Sequence, residues 1–142
     1  MQEQNFKNHS RLVPGYHGLT FLLIIALLIG SIVNLVNSAK ENLYSASLLC
    51  LVAVIFGLLA WYIRVFALKA QDRAIRAEES LRYFIITGKR LPSAVKMGQI
   101  IALRFAVDEE FAALVDRAVN ESLKPNDIKA AIANWRADHN RA

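Results

Sequence analysis

The sequence predicts an all-α protein: a two-span transmembrane helical hairpin with a long cytoplasmic extension of the second helix and a small C-terminal helical tail. Three observations carry this expectation. The 142 residues are 55% hydrophobic with a mean hydropathy of +0.30, and the apolar residues crowd into two runs, 19–36 and 43–63. Each run is about 18–21 residues, close to the ~20 that cross a ~30 Å hydrocarbon layer. A three-and-four spacing of small and apolar residues then continues past the second run. Finally, 88–142 has the amphipathic helices and stop signals of an ordinary water-facing fold.

Taken in order, residues 1–18 are a polar, cytoplasmic-type N-terminal segment holding Lys7 and Arg11. The run 19–36 is the first span. It is longer than the 7–15 residues of a signal-peptide core, and "VNSA" places Asn37 where a cleavage site wants a small residue, so it is read as retained. Residues 37–42 form a short periplasmic or extracellular loop in which Lys40 and Glu41 cancel. The run 43–63 is the second span. Cations near the spans number six on the terminal side (Lys7, Arg11, Arg64, Lys69, Arg73 and Arg76) against Lys40 alone in the loop. Both termini are therefore expected in the cytoplasm. Tyr16, Trp61 and Tyr62, with Arg64 and Lys69, mark one membrane interface, and Tyr44 marks the other. Membrane lipids are the partners this pattern implies.

Small and polar residues recur on one face of each span. In the first they are Ala26, Gly30 and Asn34, with Ser31 and Asn37 beside them; in the second they are Ala46, Cys50, Ala53, Gly57 and Ala60. Small residues let helix backbones approach, and Asn or Ser can bridge helices away from water. A hairpin built on those faces sets Gly30 near Ala53 and Ala26 near Gly57. Asn34 and Asn37 repeated around an oligomer could alternatively line a pore.

The stretch "RVFALKAQDRAIRAEESLRYFIITGKR" contains no helix breaker before Gly88, so 64–87 reads as an uninterrupted extension of the second span. Ala67, Ala70, Ala74, Ala77, Leu81 and Phe84 continue the spacing of Ala53, Phe56, Ala60 and Ile63. Steps of three and four make a heptad seam, the pattern that keeps two helices in contact. Asp72 with Arg76, and Glu78 with Arg82, stand at the spacing of intrahelical ion pairs. The seam can serve a second copy of the chain, or be covered by the chain's own tail.

Gly88 suits a helix end and Pro92 forbids continuation. Ser93 is the expected cap of a helix reaching about Phe105. Asp108 is the expected cap of the next, with Phe111, Leu114, Val115, Ala118 and Val119 on one face. A last helix starts near Pro125 and carries Ile128, Ala131, Ile132 and Trp135 in register. Some ~50 residues are few for an independent core, so this tail should pack on something else, most simply the long helix or a neighbouring subunit.

The chemistry-bearing residues are sparse. Cys50 is alone, and His9, His17 and His139 share no ligand spacing. There is no phosphate loop, nucleophile elbow or HExxH. Asp108, Glu109 and Glu110 suit a helix start, where negative charge meets the dipole. No catalytic residue, metal or cofactor is assigned. The formal charge of +5 fits the orientation rule and anionic headgroups, and no nucleic-acid module accompanies it.

The strings "QNFKNHSRLVPGYHG", "ENLYSASLL", "RVFALKAQDRAIRAEESLRYFIITGK", "IIALRFAVDEEF" and "IKAAIANWRAD" resemble a family of small bacterial two-span membrane proteins classed as a domain of unknown function. The resemblance spans nearly the whole chain and implies a bacterial inner membrane, but no activity, cofactor or site. Lys124-Pro125 departs from the Ser-Pro of that pattern, which bears only on the start of the last helix. The functional expectation is a structural or scaffolding membrane protein without catalytic activity, self-associating or serving as accessory subunit to other membrane proteins. The alternative is an oligomeric channel.

Overall fold

The computed structural model describes residues 12–138; Lys7, His9, Arg11 and His139, singled out above, lie outside them. The chain divides between Ala67 and Leu68 into an apolar hairpin and a C-terminal unit, and one helix belongs to both. Among the described residues there are helices and turns but no strand, apart from one isolated bridge between Ala106 and Trp135.

The hairpin begins with a π-helical turn, Pro14–Thr20, that runs directly into α1 (Phe21–Asn37). Helical structure therefore starts five residues before the apolar run, at a proline whose missing N–H costs nothing in a first turn. At the other end of α1 the Asn37 amide donates to the Val33 carbonyl and the Ser38 hydroxyl to the Asn34 carbonyl, 2.8 and 2.7 Å away. These two side chains add partners near the C-terminal end of α1, where the last carbonyls lack N–H groups within the helix. A short 3₁₀ turn, Lys40–Asn42, then leads into α2 (Leu43–Thr87), 45 residues without interruption.

α1 and the first half of α2 meet along a narrow face. Ala46 and Ala53 are 2% exposed, Ala60 6% and Ser31 4%. The three alanines recur at intervals of seven, so one face of α2 stays turned to its neighbour. The Ser31 hydroxyl donates to its own helix at Leu28, 2.8 Å away, so its burial leaves no orphaned donor.

α2 ends where Gly88 adopts φ +70° and its N–H reaches the Phe84 carbonyl at 2.8 Å. Only glycine takes that backbone region without steric cost. Three short helices follow: α3 (Met97–Leu103), α4 (Asp108–Asn120) and α5 (Pro125–Ala131). Their apolar faces enclose Ile100, Leu103, Phe105, Phe111, Val115 and Ile128, all essentially without exposure. Ile75 and Tyr83 of α2 join the same core. The ~50-residue tail thus uses the long helix as a wall, which supplies apolar area it lacks alone.

Three details of the tail differ from the sequence expectation. Ser93 does not cap α3, which starts four residues later. Val95 turns into the core, and the Gln99 side chain accepts the Lys96 N–H at 2.8 Å. Buried Gln99 also donates to the Ala118 and Leu123 carbonyls at 3.0 and 2.9 Å, tying the start of α3 to the end of α4. Asp108 is the first helical residue of α4, and its carboxylate goes to Arg82. α5 is short: Ile132 and Trp135 pack from the irregular segment after it, held by Glu110, which accepts the Ala133 and Asn134 N–H groups at 3.1 Å each.

Candidate functional site

The chemistry of this chain lies in its helix faces. Among the described residues no three His, Cys, Asp or Glu side chains are grouped as a metal site would require. Cys50 is a half-buried free thiol in the apolar part of α2.

On α2 the residues Ala53, Gly57 and Ala60 lie on the hairpin contact. A Cβ added at Gly57 would stand 4.0 Å from Ile24 Cγ2, an ordinary contact distance. The Tyr16 hydroxyl donates to the Ala60 carbonyl, so this tyrosine, expected at a membrane interface, is a hairpin clasp. On α1 the expectation must be corrected. Ala26, Gly30 and Asn34 are exposed, and nothing lies within 4 Å of a Cβ at Gly30. The side of α1 turned to α2 instead runs through Ile24, Leu28, Ser31 and Leu35, half-buried or buried at steps of three and four. Branched side chains fill the groove that the small residues of α2 leave open, so one helix supplies the knobs and the other the holes. Gly30 is accordingly near neither Ala53 nor any other side chain.

Of the other residues expected at a membrane interface, Tyr44, Trp61, Tyr62 and Lys69 are exposed and Arg64 is half-buried. Tyr62 stacks on Phe66 at 5.8 Å between ring centroids.

The extension of α2 carries two faces. Ile75, Glu79 and Tyr83 are buried by the tail. Ala67, Ala70, Ala74, Ala77, Leu81 and Phe84 are all exposed, so the tail does not cover the seam. At ~100° per residue, Leu81 and Glu79 point ~160° apart, which puts seam and tail on nearly opposite sides of one helix. The seam also does not run unchanged from the apolar half: Ala53 and Ala60 are spent on α1, while Phe56 and Ile63 remain outside.

Arg82 fastens the tail to α2. Its guanidinium donates to Glu79 at 3.0 Å, to Asp108 at 2.6 Å and to the Ala106 carbonyl at 2.7 Å. It also lies 4.2 Å over the Phe111 ring. Burial pushes the Glu79 carboxyl above its ordinary value, against the opposing pull of the Arg82 hydrogen bond and charge. Glu79, Arg82 and Asp108 line, with Glu78, Leu81 and Ile85, an open cleft of about 600 Å³ between the last turns of α2 and the start of α4. Helical spacing pairs Arg82 with Glu78 and Asp72 with Arg76. Neither pair is formed; Arg82 is drawn away by the partners three residues back and across on α4. The signal for this was an arginine on the same helix face as Ile75 and Tyr83, where a solvated charge is out of place.

A model of one protein family matches residues 1–142, the chain's whole length. No curated protein and no solved structure matches it.

Proposed function

Because the chain belongs to DUF6526, a family of unknown function, its role is read from its own surfaces, and we propose that it is a self-associating structural or scaffolding protein of the bacterial inner membrane. The observation that carries the reading is uncovered apolar surface. In the most apolar stretches of the two long helices only 6% and 17% of residues are buried, whereas helices at the heart of a water-soluble fold are mostly enclosed. Leu22, Val36, Ile55 and Ile63 point outward at half exposure or more or nearly so. Lipid is the solvent that suits them. The cation pattern supports a hairpin with both termini in the cytoplasm, and the exposed seam on 67–84 supports contact with a further chain, a second copy or another membrane protein.

One observation favours the alternative channel reading. Asn34 stands exposed on the outward side of α1, close to Gly30, whereas Ser31, the other polar residue between Phe21 and Val36, is buried. A polar amide turned to lipid is costly, and a ring of copies would bring such amides together.

The test is the mass and conductance of the purified full chain. Extraction from membranes should require detergent, and the particle should be a multiple of 15.9 kDa without ion flux in proteoliposomes. A detergent-free soluble protein would end the membrane reading, a single-chain particle would end self-association, and specific flux abolished by Asn34→Leu would favour the channel.

A further inference from the structure

We infer that residues 70–85 of α2 pair in parallel with the same residues of a second copy, along Ala70, Ala74, Ala77, Leu81 and Phe84 and with a reciprocal ion pair between Arg73 and Glu78. The inference rests on the self-association proposed above and specifies its partner, direction and register.

The alanines alone would not define a contact. Their stripe ends in large apolar side chains, however: Leu81 is 60%, Phe84 53% and Ile85 73% exposed, on a helix whose other side is closed by the tail. The tail holds the face of Ile75, Glu79 and Tyr83, while Glu78, Leu81 and Ile85 border the open cleft beside the start of α4 and stay accessible to a partner. Small residues at 70, 74 and 77 let two backbones come close, and Leu81 and Phe84 then meet their own copies beyond them.

Charge selects the occupant. In the heptad that places Ala74 and Leu81 at one core position and Ala70, Ala77 and Phe84 at the other, Arg73 and Glu78 are the flanking residues. A parallel pair sets each such leading flank beside the trailing flank five residues on in its partner. Arg73 of one copy therefore faces Glu78 of the other, and two-fold symmetry makes the contact twice. Both side chains are exposed, and neither has a hydrogen bond or ion pair within the described chain. Glu78 is available because Arg82, its expected intrahelical partner, is held by Glu79 and Asp108. An antiparallel pair sets leading flank to leading flank, and no opposite charges meet.

The experiment uses the full chain in native membranes with Cys50→Ala as background. Ala70→Cys, Leu81→Cys and Phe84→Cys should each crosslink to their own copy, and Arg76→Cys, on the far side, should not. Arg73→Glu and Glu78→Arg should each lose the crosslink at Leu81→Cys. Their double variant should regain it, and so should a mixture of the two single variants carrying different tags. A wild-type particle of one chain would overturn self-association and this pairing together. An assembled particle in which Ala70→Cys crosslinks to Phe84→Cys would overturn the parallel direction alone. An assembled particle with no crosslink at any seam position would move the contact elsewhere and leave the broader reading standing.

Discussion

Arg82 and Glu79 are about nine-tenths buried at their side chains, 10% and 8% exposed, and each depends on the other. Arg82→Ala would strand the Glu79 carboxylate and free the Ala106 carbonyl and Asp108 together. Loss of one partner of a buried pair costs about 3–5 kcal/mol, so the tail should unfold at distinctly lower urea, read by Trp135 fluorescence in a Trp61→Phe background. Arg82→Lys should recover little of this, since an ammonium cannot reproduce the planar fork. Glu79 also sets a pH dependence. Its folded carboxyl titrates above the ordinary 4.5 because of burial, so the folded state holds the proton more tightly than the unfolded one. Its contribution is then fully present below pH 4.5 and declines as pH rises through the raised value. Urea midpoints across that window should show the decline, and Glu79→Gln should flatten it; an unchanged slope would mean Glu79 is not the group responsible.

At the scale of the helices, Gly57 and Gly30 make opposite predictions. Gly57→Leu pushes a branched side chain against Ile24 and should lower the thermal stability of the hairpin in detergent, whereas Gly30→Leu meets nothing and should leave it nearly unchanged. Equal losses would mean the hairpin packs differently. The contrast also shows what a sequence can carry about a helix face. On α2 the face was legible because small residues recur every seven positions, from Ala46 through Ala53 to Ala60. On α1 the small and polar residues Ala26, Gly30 and Asn34 match the small face of α2 but lie one step round from Ser31 and stand exposed. Packing needs a filler opposite a gap, and Ile24, Leu28 and Leu35 look like any other apolar residues of that run. The tail's helices were legible from their periodicity and from Gly88 and Pro125. Its docking side was not, because it rests on Arg82 meeting Asp108, a pairing 26 residues apart that no local spacing announces.

For the molecule as a whole, orientation is the property most directly open to test. A reporter fused at Lys40 should behave as periplasmic and one fused after Ala142 as cytoplasmic; the reverse at either site would invert or dissolve the hairpin. The C-terminal unit adds a consequence in time. Its core is closed by Trp135, which lies 5.1 Å from Phe105 between ring centroids, while its wall is provided by Ile75 and Tyr83. Fifty-two residues separate Tyr83 from Trp135, so at ~5–20 residues per second the ribosome takes ~3–10 s to deliver the closing piece after the wall. Throughout that interval Arg82, Glu79, Ile75 and Tyr83 lack the tail residues that cover them in the folded unit. The opposite stripe is complete as soon as Ile85 has been made. Under the proposed pairing, nascent chains from neighbouring ribosomes on one message would have that stripe to meet along before either has finished folding.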